Sequence, residues 1–269
     1  MNRMLNLLKI ELKKITPYTG FWVIFGLTFA LIPVVFYGIG QIEIQGAPID
    51  MKNTFRFPNV WNNLTYLASW FNLLIGMLLV ILVCNEFSFK TFRQHVIDGQ
   101  SKSDFVISKI LVIVCLSLFS TFYLFVIGFL FGITTSVGNV SFSENIYYLG
   151  VYFIQAIGYM SVGLLIATLL RSTALSIIIF LLSILIESLI QVFVPGSIEK
   201  YFPMEIIANL TPNPLVANMM PDSSQLPPGA QMPPMFESIP LSTNVMVACI
   251  YIIAIWGITY FVLTKKDIK

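Results

Sequence analysis

Six runs of mostly apolar residues, at about 19–40, 64–84, 105–131, 147–170, 173–194 and 244–264, constrain this chain more than any other feature. Crossing about 30 Å of hydrocarbon at 1.5 Å per residue takes a helix of about 20 residues. Within lipid every backbone polar group needs a partner inside the protein, so a lone run of this length is a helix. Each run is too long for a core strand and too apolar for a surface helix. The purest stretches are Leu73–Val83 and Ile177–Ile186, while Pro33 interrupts the first run and leaves a carbonyl for neighbouring helices to cover. Charged residues make up only 10% of the 269, against roughly 25% in soluble domains. The expected fold class is an all-α membrane protein, a single transmembrane domain spanning residues 1–269.

The basic residues orient it. With the N-terminus inside, 12 of the 15 Lys and Arg residues fall on the inner side and only Lys52, Arg56 and Lys200 on the outer. This predicts a multi-pass protein of the cell inner (plasma) membrane with both termini cytoplasmic. The first apolar run is longer than the h-region of a signal peptide, and no small-x-small site follows it, so no cleavage is expected. Ahead of it, Leu5, Leu8, Leu12 and Ile15 recur at helical spacing, with Arg3, Lys9, Lys13 and Lys14 in other sectors. Residues 1–17 therefore read as an amphipathic interfacial helix with membrane lipid as its partner. Outer loops fall at about 41–63, 132–146 and 195–243. The last is Pro-rich, holding 10 of the 14 prolines and five of the 11 methionines, Met204, Met219, Met220, Met232 and Met235. In it Ile198, Tyr201, Phe202, Ile206, Ile207 and Leu210 form a short amphipathic stretch, interrupted by Pro203, that would dip into the outer leaflet or cap the bundle.

Motifs for covalent chemistry are missing. The chain has no G-x-x-x-x-G-K-[ST], no G-x-S-x-G and no H-E-x-x-H, and its one histidine, His95, cannot form a His cluster. No catalytic residue, metal site, cofactor or nucleic-acid partner is assigned, and the chain is not expected to be an enzyme. Cys84, Cys115 and Cys249 read as apolar fillers. The loop methionines suit adaptable apolar contact with a lipidic or peptidic ligand, with soft-metal handling a weaker reading. Glu187 is the one acid deep in a run. Burying it demands a polar partner, for which Gln155 and Gln191 are candidates; it is either a substrate contact or a neutral carboxyl between packed helices. Asn72 and Thr168 carry weaker versions of the same demand. Gly128 and Gly132 form a G-x-x-x-G that permits close helix approach, and Gly158 and Gly163 thin the fourth run.

The inner loop 85–104 carries the remaining signal. Thr91 to Asp98 can form two helical turns, Gly99 suits a C-terminal stop, and Ser101 or Ser103 can cap the next helix, with Asp104 at its positive end. Phe89, Phe92, Val96 and Ile97 offer an apolar docking face, flanked by Arg93 and His95. A short helix tied at both ends to spans is a lever, since pushing it moves two spans together. The succession of Glu86, Thr91 with Arg93, Val96 and Ile97, Gly99, Ser101 to Ser103, and Asp104-Phe105 leading to Lys109 resembles the coupling-helix region of ABC-transporter permeases of the type-2 exporter class. That family often has Gly before the Thr, where this chain has Lys90. The resemblance implies a dimer of permease chains, homodimeric or heterodimeric, above two copies of a separate ABC ATPase subunit that binds ATP and Mg. On this reading the chain couples ATP hydrolysis elsewhere to export of a lipidic, peptidic or other amphipathic substrate, as its apolar interior disfavours a strongly ionic cargo. Two alternatives stay open: a non-transporting scaffold docking a cytoplasmic partner through the same loop, and a gradient-driven carrier using Glu187.

Overall fold

The computed structural model describes residues 2–41, 54–97, 99, 101–136, 141–214 and 239–265. All regular structure among them is helical: α1 (Asn2–Ile15), α2 (Thr19–Gly40), α3 (Asn59–Ser88), α4 (Thr91–Ile97), α5 (Lys102–Thr135), α6 (Tyr147–Leu170), α7 (Thr173–Gln191), α8 (Gly196–Glu199), α9 (Pro203–Ala208) and α10 (Leu241–Lys265). Six of these, α2, α3, α5, α6, α7 and α10, are long and apolar enough to cross a membrane. The protein is therefore a helical, multi-pass membrane protein.

The helices α3 and α5 outrun their apolar cores. At 30 and 34 residues they would be about 45 and 51 Å long at 1.5 Å per residue, well beyond about 30 Å of hydrocarbon. Polar residues at both ends of α3, Asn59, Asn62, Asn63, Asn85 and Glu86, continue the helix past the stretch that hydropathy reads. At the start of α5 the Ser101 side chain accepts from the Asp104 N–H while the Asp104 carboxylate accepts from the Ser101 N–H. That reciprocal pair satisfies two donors that a helix start leaves open.

The core is built around α3 and α6, which share the most extensive helix–helix contact. Their backbones approach at Gly76 and Gly163: a Cβ on Gly163 would lie 3.1 Å from the Gly76 carbonyl oxygen. The glycines of the G-x-x-x-G serve differently. A Cβ on Gly128 would meet the Trp61 ring at 2.8 Å, and one on Gly132 the Phe57 ring at 2.2 Å. They seat aromatic rings of the α3 end instead of bringing two backbones together. By contrast, α7 lies at the periphery, burying Ser176 and Phe180 and exposing Leu182, Leu185 and Leu189, a face suited to lipid.

Helix α1 lies against α5. Its buried stripe is Leu7, Glu11 and Ile15, spaced one turn apart, whereas Leu5 and Leu12 are exposed. The apolar face expected over Leu5, Leu8, Leu12 and Ile15 is thus divided. Only Ile15 packs into the main core, because an acid at position 11, not a leucine, has its partner in the bundle. At the opposite end Pro203 begins α9 at its first position instead of breaking it, and Met204, Ile206, Ile207 and Leu210 are buried while Ile198 and Tyr201 are exposed. Met219, Met220, Met232, Met235 and the paired prolines lie outside the described residues.

Candidate functional site

The short helix α4 joins α3 to α5. Its approach is sharp: α3 continues through Ser88, and Lys90 then takes a left-handed backbone with φ 58°. The Thr91 hydroxyl donates to the Glu86 carbonyl at 3.2 Å. Phe92 turns inward and meets Phe105 and Phe87 at ring-centroid separations of 4.7 and 5.4 Å, with Val106 and Leu263 completing the cluster. The helix ends at Ile97, and Gly99 has φ 90°, the left-handed turn that glycine adopts without a Cβ penalty. The expected apolar docking face is therefore split. Phe92 is consumed in fixing α4 to the spans, whereas Phe89 and Ile97 are 75% and 81% exposed. The side chains of Arg93, His95 and Val96 lie outside the described residues.

Beside this aromatic cluster sits a buried ion cluster. Lys109, in the second turn of α5 and 2% exposed, donates to Glu11 of α1 at 2.5 Å and to Glu86 of α3. Lys14 reaches the same two carboxylates at 3.0 and 3.2 Å, and the Ser108 hydroxyl donates to Glu11 at 3.0 Å. Two ammonium groups thus face two carboxylates, and the assembly is neutral. Burial pushes the Glu11 carboxyl upward, but the charges of Lys109 and Lys14 and their hydrogen bonds outweigh it, so Glu11 is held below its ordinary value of 4.5. Removing one partner from such a cluster strands the others, at a cost of about 3–5 kcal/mol. The outlying pair of Arg3 with Asp104 is close, at 2.6 Å, yet Arg3 is 74% exposed and the pair contributes little. The ions pin α1, α3 and α5 together beneath α4. On the neighbouring side, the Lys102 ammonium donates to the Thr264 carbonyl of α10 at 3.1 Å.

The intramembrane polar residues divide between two places. Asn72, Tyr152 and Ser120 form a hydrogen-bonded chain, with the Tyr152 hydroxyl donating to Asn72 at 3.0 Å and accepting from the Ser120 hydroxyl at 2.7 Å. Asn72 meets Gln155 at 3.5 Å. The Gln155 amide donates to the carbonyls of Ile207 and Ala208 and to Thr211, each at 3.0 Å. Glu187 pairs with neither Gln155 nor Gln191. Its carboxylate accepts the backbone N–H groups of Met204 and Glu205 at 3.0 and 2.7 Å, donors that the first turn of α9 leaves without helical partners. Gln191 turns to the Glu199 carbonyl at 3.5 Å. Gln155, Glu187 and Gln191 thus reach α8 and α9, whereas Tyr152 and Ser120 stay within the spans, joined to that end through Asn72 and Gln155.

Sequence reasoning missed Glu11, Tyr152 and Thr211, and it read Lys109 as the end of the inner-loop pattern without its buried acids. Lys109 had a signal: a cation a full turn inside a helix, with Ile110 and Leu111 following it, needs a buried acid. Glu86 at the end of an apolar run and Glu11 on the Leu7–Ile15 stripe were available. Tyr152 and Thr211 carried no such signal, since each is ordinary in its local sequence.

Six membrane-length helices, a charged cluster at one end and small polar networks in the interior define the class: a polytopic helical membrane protein without a recognisable reaction centre among its described residues. Residues 18–269 match the family described as a protein of unknown function (DUF2705), and the chain belongs to that family. The match begins after α1, so Glu11 and Lys14 fall outside it. No curated protein matches the chain significantly.

Proposed function

We propose that this chain is the membrane-spanning permease subunit of an ATP-driven ABC transporter, an exporter, with α4 as its coupling helix and α1 as its interfacial helix. The observation that carries the reading is the mounting of α4. Phe92 anchors it to Phe87 of α3 and Phe105 of α5, and the neighbouring ions bind those two helices to α1. Force applied to α4 would therefore reach three helices without loss in a flexible link. The left-handed backbone at Lys90 supports the same reading, because it is where the resembling permeases often have glycine, the residue that takes this conformation most readily. The concentration of Lys and Arg at the α4 end supports a cytoplasmic placement of that end.

On this reading Phe89, at the turn into α4, and Ile97, at its end, both left exposed, face a separate ATPase subunit that binds ATP and Mg, two copies serving a pair of permease chains. The cargo is lipidic, peptidic or otherwise amphipathic, in keeping with an interior whose polar groups are mostly neutral. The carrier alternative is weakened, since both carboxylate oxygens of Glu187 are engaged by backbone N–H groups.

Mild-detergent purification of the chain from its native membrane should bring down a P-loop ATPase in stoichiometric amount. Arg93→Glu or Gly99→Pro should then uncouple ATP hydrolysis from transport while membrane insertion persists. Recovery of the chain with no nucleotide-hydrolysing partner, or wild-type coupling in both variants, would overturn the assignment.

A further inference from the structure

A cleft of about 340 Å³ opens at the end of the bundle opposite α4, between the last turns of α2 and α5 and the segment that leads into α3. Its floor is aromatic and fixed. Phe55 is buried, stands edge-on to Phe36 at 5.0 Å and stacks on Phe131 at 5.3 Å. A Cβ on Gly40 would fall 1.8 Å from the Phe55 ring, so this glycine makes the seat for it. The wall is pinned as well: the Thr135 hydroxyl donates to the Phe55 carbonyl at 2.9 Å, and the Phe57 N–H donates to the Ser136 hydroxyl at 3.0 Å. The cleft is thus framed by groups that the fold itself holds in place.

Its chemistry changes from floor to mouth. Arg56, Gln41 and Thr134 are exposed at the lining and supply a cation, an amide and a hydroxyl. Running away from the mouth toward the middle of the bundle, Val34 and Tyr37 of α2 and Leu130 and Ile133 of α5 are between 56% and 65% exposed. An apolar track therefore leads along two spans into a cleft with a guanidinium at its rim. The volume is at the lower end of small-molecule sites, enough for a headgroup and the start of a chain. The guanidinium fork has five donors, so it can grip a phosphate while keeping another contact.

We propose that this cleft holds the headgroup of an anionic phospholipid, with an acyl chain lying along the α2–α5 track in the leaflet opposite α4. The inference rests on the six helices crossing a bilayer and is independent of any ATPase partner. A neutral zwitterionic lipid would fit the track equally but place a choline or amine near Arg56, so discrimination comes from the rim.

The full chain, purified without partner, would be exchanged with equimolar phosphatidylglycerol and phosphatidylcholine of matched acyl chains and examined by native mass spectrometry. One phosphatidylglycerol should be retained in preference by about tenfold, because the choline ammonium of phosphatidylcholine sets a second cation beside Arg56 and offsets its phosphate contact. Arg56→Gln should bring the ratio near unity, and Thr134→Trp, which fills the mouth, should remove the tightly held lipid of either kind. The double variant Lys9→Gln/Lys13→Gln, altering exposed cations of α1, should leave the ratio unchanged, and excess inorganic phosphate should not displace the lipid. An unchanged preference in both cleft variants, a preference lost only in the α1 variant, or displacement by free phosphate would each overturn the proposal. Coupling failure in the ABC assays would leave this result untouched, so the two readings fail separately.

Discussion

Replacing Lys109 with methionine tests the ion cluster most directly. The side chain is nearly isosteric along its stem, and only the ammonium that links Glu11 to Glu86 is lost. Two carboxylates would then remain in a site where Lys109 is 2% exposed. Breaking a buried pair by removing one partner costs about 3–5 kcal/mol. Lys14 still reaches both acids at 3.0 and 3.2 Å, which keeps the loss near the low end, about 3 kcal/mol, or roughly a hundredfold in the folded-to-unfolded ratio. The assay is reversible unfolding in mixed micelles, followed by helical circular dichroism and by labelling of a cysteine placed at Leu7, which is buried while α1 is docked. Adding Glu11→Gln to Lys109→Met should recover about 1 kcal/mol, because it removes one stranded charge; the same change in the wild type should destabilise. This opposite sign is the signature of direct coupling. A Lys109→Met loss under about 1 kcal/mol, or additive losses in the double variant, would refute the idea that the cluster holds α1 to the spans.

Other outcomes follow from the same geometry. Because the folded Glu11 carboxyl is held below 4.5, its stabilising share is fully present above that value and disappears as pH falls through the lower folded one; denaturant unfolding followed by circular dichroism should show wild-type stability falling in acid, and Glu11→Gln should flatten that limb. Lys90→Gly should leave stability unchanged or raise it by up to about 1 kcal/mol, since φ 58° costs a non-glycine residue about 1–2 kcal/mol; a clear loss in a denaturant series would contradict the strain. Gly163→Leu, by contrast, should destabilise by about 2 kcal/mol or more, as its side chain would meet the Gly76 backbone, and a folded, fully stable variant would argue against this crossing. Glu187→Ala should expose a cysteine placed at Ile207 to thiol reagents, and Gln155→Ala should do so to a similar degree, with unaltered labelling in both counting against their hold on α9.

Much of the architecture was legible because lipid simplifies the code. Runs such as Leu73–Val83 can only be helices when no water is available to their backbone, and all six runs correspond to helices of spanning length. Helix ends were less legible: Asn59–Asn63 and Asn85–Ser88 are polar, yet they continue α3 because hydrogen bonding propagates beyond the apolar stretch. The α4 segment was readable from its breakers, with Gly99 turning left-handed as expected. The burial of Phe92 was not, since Phe89, Phe92 and Ile97 are chemically alike and only the position of Phe105 and Leu263 selects one of them. The partners of Glu187 were likewise hidden, because they are backbone groups of Met204 and Glu205 and leave no trace in residue type. Side-chain chemistry announces a need for a partner; it seldom names a partner drawn from the main chain.

Two spans hold α9 by opposite ends, α7 through Glu187 and α6 through Gln155. These contacts are 2.7 to 3.0 Å long, and such bonds are largely lost beyond about 3.5 Å. The six-residue helix therefore gauges the gap between its two holders to within about half an ångström. Should α6 and α7 part at that end by more, α9 must let go of one and travel with the other; if it follows α7, the Ile207 side chain leaves its seat against Gly158 of α6.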